Sequence, residues 1–398
     1  MNEQPRRRRL VYVSGTRADF GLMRSTLLLA AAQMDVSVAV TGMHLSAEFG
    51  HTVDEIHAAG LRVCGELPVD VTTRTPQSMA AAVGECLQGL SALLAREQPD
   101  LLLLLGDRGE MLAGAVAALH LGISCVHVHG GERSGTVDEP VRHAISKLST
   151  WHFVATEGSR QRLERMGEPP AQIRVTGAPG LDGLSEMAAM PEAECRAALG
   201  LAAGQAFVLA LFHPVVQQAQ SVHAQTTALC KALLAIGLPV VWLAPNADAG
   251  SRAVLQALDD NALPTGSQRV QHLSRPVFVA AMRYCAVLVG NSSAGIIEAA
   301  SLGTPVVNMG SRQNLRERNA NVVDVAIDVT DLPVAVVELP VAVANVAVAI
   351  EAALRSAIDH GPWPRENIYG DGHSGERIAH LLAKLPLDRR LLEKANAY

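Results

Sequence analysis

Five consecutive leucines, Leu101–Leu105, run straight into Gly106-Asp107-Arg108. A strand of that composition must be buried on both faces, which a sheet covered by helices on each side allows. A helical pattern follows over about 110–120, then a second apolar strand over 123–128. Strand, helix, strand is the repeating unit of a doubly wound parallel sheet with right-handed crossovers. In such sheets the ligand sits in the crevice at the carboxyl ends of the strands. One end here carries Asp107 and Arg108. The next carries His127, His129, Glu132, Arg133, Asp138, Glu139, Arg142 and His143. Each alone is an ordinary solvated loop charge; all of them on two consecutive strand ends mark a site. The Gly130-Gly131 pair suggests backbone closely approaching a ligand.

The same alternation organises the rest of the chain. Residues 10–14 form a first strand that enters Gly15-Thr16-Arg17-Ala18-Asp19-Phe20-Gly21 and a helix to about 32. A glycine turn before a helix points backbone N–H groups outward, which suits a phosphate, and the Arg17 fork matches its oxygens. The spacing is not GxGxxG, so the dinucleotide fingerprint is absent. Strands are expected at 36–41, 62–67, 151–156 and 173–176, with helices at 48–59, 75–98 and 158–166. Residues 179–201 link the halves. The pattern then restarts with strands at 207–212, 240–244, 286–289 and 305–309 and helices at 217–236, 276–284, 350–360 and 376–384. The valine-rich stretch 322–348 is ambiguous. Two Rossmann-like halves of similar size, facing one cleft, suit a large ligand gripped from both sides.

Composition narrows the function classes. The 398 residues are 49% hydrophobic, 18% charged and only 3% aromatic, with a formal charge of -6. That supports two cores, and it lacks the basic field and stacking aromatics of a nucleic-acid binder. Arg6 to Arg9 is the only dense basic run. The uncharged span 113–131 changes period midway and reads as core rather than a membrane helix. Six scattered cysteines without CxxC fit buried thiols in a reducing cytoplasm.

The second half carries its own constellation. Gly290-Asn291-Ser292-Ser293 lies between a buried strand and a helix, an anion site or simply a capped helix start. Glu298 can accept from ribose hydroxyls. Arg312 and His213 stand at neighbouring strand ends. No GxSxG elbow is present, which disfavours a hydrolase nucleophile. His127, His129 and His143 offer a metal geometry, but the balanced charges around them disfavour it; no metal and no cofactor are expected.

Read together, GTRADFG (15–21), TGMHLSAEFG (41–50), GDR (106–108), HVHGGERSGTVDE (127–139), RHAISK (142–147), HP (213–214), PNADAGS (245–251), GNSSAGIIEA (290–299), GSRQ (310–313) and YGDG (369–372) resemble the hydrolysing UDP-N-acetylglucosamine 2-epimerases of sialic and nonulosonic acid synthesis. The resemblance implies α/β architecture of the GT-B type. Expected domains are 1–185 on the sugar side, completed by a helix at 374–398, and 186–373 on the nucleotide side. It implies catalysis by Asp107, Glu132, Asp138, His213 and His129. It implies substrate binding by Arg17, His44, Arg108, His143, Asn246, Asn291, Ser292, Ser293, Glu298 and Arg312. Many relatives carry a carboxylate where His129 stands, so part of that role is expected from Glu132 or Asp138. A cytoplasmic homodimer or homotetramer with a nucleotide-sugar substrate, and no nucleic-acid or membrane partner, completes the expectation.

The implied reaction turns UDP-N-acetylglucosamine into N-acetylmannosamine and UDP through C2 deprotonation, loss of the nucleotide and hydration of a glycal. The alternatives are the same reaction on UDP- or GDP-N,N'-diacetylbacillosamine, on the legionaminic acid route, and a GT-B glycosyltransferase. A non-hydrolysing epimerase would keep the nucleotide on the sugar. A non-catalytic sensor would bind the ligand without releasing UDP.

Overall fold

The computed structural model describes residues 6–245, 248–327 and 339–397. Its strands form two sheets, every pairing parallel. The first contains β1 (Arg9–Ser14), β2 (Asp35–Thr41), β3 (Arg62–Leu67), β4 (Leu101–Leu105), β5 (Ser124–Val128), β6 (Trp151–Val154) and β7 (Ile173–Val175), in the order β3-β2-β1-β4-β5-β6-β7. The second contains β8 (Val208–Leu211), β9 (Val240–Leu243), β10 (Gln268–Val270), β11 (Val287–Gly290), β12 (Val306–Met309) and β13 (Val322–Val325), in the order β10-β9-β8-β11-β12-β13. Strand order reverses between β1 and β4 and again between β8 and β11, the two places where such sheets open a crevice. This is the two-domain GT-B arrangement.

The leucine run explains itself in β4. Leu101, Leu103 and Leu105 enter one core with Phe20, Met23 and Leu27; Leu102 and Leu104 enter the opposite core with Leu90, Leu94 and Met111. Each buried leucine contributes about 1.5–3 kcal/mol. Burial on both faces therefore fixes the strand, and β5 is held beside it with Leu104 opposite His127.

The chain's end returns to the first sheet. Ile378, Ala379 and Leu382 of the helix Ser374–Lys384 pack in the core of Leu10, Phe20 and Leu27. Asp182 accepts from Ser374 N at 2.9 Å and from Gly375 N, capping that helix. Farther on, Lys394 Nζ donates to the carbonyls of Ser146, Lys147 and Ser149 at 2.7–2.9 Å, closing the helix Asp138–Leu148. Lys394 also meets the buried Glu168 carboxylate at 2.5 Å, which Lys147 and His152 reach at 2.7 and 2.9 Å. Burial pushes the Glu168 carboxyl up, but these partners outweigh it and hold it at about 2.

Local departures from the expected elements have plain causes. The helix expected at 48–59 breaks into a short turn Ala47–Phe49 and the helix Val53–Ala58, because Gly50 and His51 take φ of 87° and 48°. A helix Ser251–Asp260, unforeseen in the sequence, buries Val254, Ala257 and Leu258 at helical spacing. The ambiguous stretch splits into β13 and the helix Leu339–His360, with 328–338 outside the described residues. The span 113–131 is helix, turn and β5. Two helices, Pro76–Glu97 and Pro340–His360, are long and apolar enough to cross a membrane by length and composition. Each buries a stripe in a domain core, through Leu90 and Leu94 in one and Ile350 and Leu354 in the other. All six cysteines are buried and unpaired.

Candidate functional site

A cavity of about 430 Å³ lies between the carboxyl ends of the two sheets. Gly15, Asp107, Arg108, Glu110 and Asp138 line it from the first half, and Val216, Asp248 and Arg312 from the second. Size, concavity and converging charge are those of a small-molecule site.

Asp107 sits in the turn after β4. One carboxylate oxygen is gripped by Arg142, whose side chain is 1% exposed. Arg142 also donates to the Glu132 carbonyl at 3.3 Å and to Ser134 Oγ at 3.4 Å. Burial pulls its guanidinium down to about 9, and nearby Arg312 adds repulsion, so the Asp107 charge answers a buried cation. His127 fixes the turn from behind: Nε2 donates to the Gly106 carbonyl at 2.7 Å and Nδ1 accepts from Ser146 Oγ at 3.0 Å. Asp138 opens the helix Asp138–Leu148 and lies 3.8 Å from Arg312 across the interdomain gap. Arg312 also donates to the Asn291 carbonyl at 3.1 Å. Two carboxylates and a guanidinium from both halves thus meet at one cavity.

On the floor, Arg108 Nε donates to Glu110 at 2.8 Å, and that carboxylate raises the guanidinium's pKa. Glu110 presses on Gly15, where any Cβ would stand 2.0 Å from its oxygen. A side chain at 15 would therefore have to push the Glu110 carboxylate away from its place beside Arg108. His44 is wholly buried behind the turn. Ser14 donates to Asp19 and so accepts from His44 Nε2 at 2.9 Å, while Nδ1 accepts from Thr52 at 2.8 Å. Burial lowers the His44 pKa and raises that of Asp19. His44 therefore supports the glycine turn rather than lining the cavity.

Several expected site residues are engaged elsewhere. Glu132, 3% exposed, is shared between His129 Nδ1 and Arg316, which ties the two halves together. A carboxylate so held is not a free base. His129 leaves the strand with φ of 65°, fixed by that bond and by its backbone N–H to the Phe153 carbonyl at 3.0 Å. Burial, with Arg316 adding, takes its pKa down to about 3. With His127 and His129 so committed, the three histidines do not converge; among the described residues no cluster of His, Cys, Asp or Glu is arranged for a metal. Gly130 and Gly131 pack on the protein itself: Cβ atoms there would meet Ser146 Oγ at 2.9 Å and the Ser159 carbonyl at 2.4 Å. Their close approach is to neighbouring helices, not to a ligand. His143 lies 3.7 Å from Glu139.

In the second half, Asn291 is 1% exposed and brackets His213, accepting from its N–H and donating to its carbonyl, both at 2.8 Å. Ser292 caps the short helix Ser293–Ile297, accepting from Ala294 N at 3.4 Å. Glu298 is taken by Arg275, which also donates to the Gly180 carbonyl at 2.8 Å. Arg17 turns to Glu55 and to the Leu273 carbonyl, each within 2.8 Å. None of these lines the cavity. Asn246 lies outside the described residues. Burial and the Arg312 charge bring His213 down to about 3, so it is neutral from pH 5 to 8. In kcat/KM, no limb belonging to His213 is expected over that range; a limb near pH 6.5 that vanishes in His213→Asn would contradict this.

Arg275 and Arg316 were not among the expected site residues, and Arg142, named with the charged strand-end group, was expected in no catalytic or binding role. Arg142 stands one turn after Asp138 and shares the buried face of its helix with Ile145 and Ser146, a position where a guanidinium needs an anion. Arg275 and Arg316 carry no such local mark.

A profile of the family described as UDP-N-acetylglucosamine 2-epimerase matches residues 28–383. A Legionella pneumophila protein named UDP-N,N'-diacetylbacillosamine 2-epimerase (hydrolyzing) is 46% identical over 98% of this chain and 100% of its own. A Neisseria meningitidis UDP-N-acetylglucosamine 2-epimerase is 33% identical over 79% of this chain and 83% of its own. The crystal structure of a UDP-GlcNAc 2-epimerase from Neisseria meningitidis bound to UDP-GlcNAc superposes with a TM-score of 0.74. It covers 94% of this chain and 100% of that one, at 18% identity.

Proposed function

Because the chain belongs to the UDP-N-acetylglucosamine 2-epimerase family, we propose that it is a hydrolysing 2-epimerase acting on UDP-N,N'-diacetylbacillosamine. The full-length relative carries this reading. It reverses the order of the two sugars expected from sequence, since the relative named for UDP-N-acetylglucosamine matches less of the chain at lower identity. The joint cavity, with Asp107, Asp138 and Arg312 on it, supports the chemistry.

Asp107 is the base that takes the C2 proton. Its second oxygen is held by Arg142, which leaves the other for the substrate. The C2–H electron pair becomes the second bond between C1 and C2 as the C1–O bond breaks, and the diphosphate leaves with the C1–O bonding pair. Arg312, which lines the cavity, meets its charge. Protonated Asp138 then delivers a proton to C2 from the opposite face, the cation left at C1 takes the oxygen of water, the proton that water sheds returns to Asp138, and Asp107 gives its own proton to solvent. Two carboxylates on separate elements suit transfers on two faces of one ring. The products are UDP and the free sugar inverted at C2. Product formed in D2O is expected to carry one non-exchanging deuterium at C2, read by proton NMR. A product that keeps its C2 protium would rule the elimination out.

A further inference from the structure

Identity to a relative says nothing about which atoms of this chain distinguish one sugar from another. The cavity wall does. Opposite the charged mouth it is built from Met43 and from Met79, Val83 and Cys86, one face of the helix Pro76–Glu97 at helical spacing, with Val141 beside them. Val83 abuts the turn that carries the base: a Cβ on Gly109 would lie 2.6 Å from its Cγ2. The apolar wall is therefore continuous with Asp107 and Arg108.

Several polar side chains near this wall are already occupied, although the buried Arg74 Nε has no hydrogen-bond partner. Thr41 Oγ1 donates to the Leu67 carbonyl at 2.6 Å. Ser78 serves the cap of its own helix, and the Asp70 carboxylate accepts from Thr72 and Thr73. Arg74 is held by Glu48. A hydroxyl pressed against the Met79, Val83 and Cys86 side chains would lose its water partners to groups that offer no oxygen or nitrogen, whereas a methyl gains by leaving water.

The substrate's orientation follows from chemistry. C1 carries the diphosphate and faces Arg312; C2 must face Asp107 and Asp138. C4 and C6 lie across the ring and are carried to the far wall. We propose that Met79 and Val83, backed by Cys86, are specificity-determining residues. They seat the C6 methyl and the C4 acetamido methyl of a 4-acetamido-6-deoxy sugar and disfavour 4- and 6-hydroxyls. This rests on the epimerase reading above and adds to it the residues that select the sugar.

The test measures kcat/KM for UDP release from UDP-N,N'-diacetylbacillosamine and UDP-N-acetylglucosamine with the full chain, Val83→Thr and Met79→Gln. Both changes keep size and add polarity. The unaltered protein is expected to favour the diacetamido sugar, and either variant to shrink that preference about tenfold, the scale of one misplaced methyl contact. Two variants at different turns guard against one failing to fold, and circular dichroism melting checks each. A preference unchanged in both variants, or a native preference for UDP-N-acetylglucosamine, overturns the specificity assignment while the epimerase reading stands. Absence of UDP release from both sugars overturns both.

Discussion

Asp107→Asn is expected to lower kcat for UDP release about a thousandfold while UDP affinity, read by calorimetry, stays within a few fold. A positioned general base contributes between 10² and 10⁴. The upper part of that range applies because the C2 proton is only weakly acidic, so the uncatalysed step is slow. Asparagine keeps the shape and one oxygen for Arg142. It removes the charge, so chemistry suffers more than binding. Asp138→Asn, on the opposite face, is expected to slow turnover less and to leave deuterium exchange at C2 detectable. A loss below tenfold in Asp107→Asn would move the base to another group.

Glu168→Ala is expected to destabilise the first domain by about 3 kcal/mol, the lower end for breaking a buried ion pair, since Lys147 is partly exposed. The variant leaves Lys394 and His152 facing a hole where a carboxylate stood. For a domain of this size that is a fall of roughly 6–12 °C in melting temperature. The pH dependence gives an independent reading. The folded carboxyl lies below its unfolded value of 4.5, so its stabilisation is complete above about pH 4.5 and drains away as the pH falls toward 2. The variant should lack that acid limb. Equal melting temperatures for both proteins at pH 7 would show that the cluster contributes nothing.

The fold was legible because its central strands are apolar on both faces and most of them run into a glycine or a charge. The leucines of β4 are the clearest case. Asp107, Arg108 and Asp138 were legible for the same reason, since topology alone carries strand ends to the crevice. What stayed hidden was the pairing of charges across long separations. Nothing near Glu132 announces Arg316, and nothing near Glu298 announces Arg275, yet these partners decide that neither carboxylate is free. The helix Ser251–Asp260 was missed although Val254, Ala257 and Leu258 stand at helical spacing, because it is short and no side chain caps its start after Gly250. Sugar selection was invisible because Met79, Val83 and Cys86 look like any buried helix face until the cavity is seen to open on them.

The return of the last helix onto β1 and the helix Arg17–Ala31 sets an order of events during synthesis. The residues that seal the first core follow the whole second sheet in the chain, so the nascent first domain waits, partly open, while the second is made. A truncation before Ile378 would therefore injure the half of the protein made first.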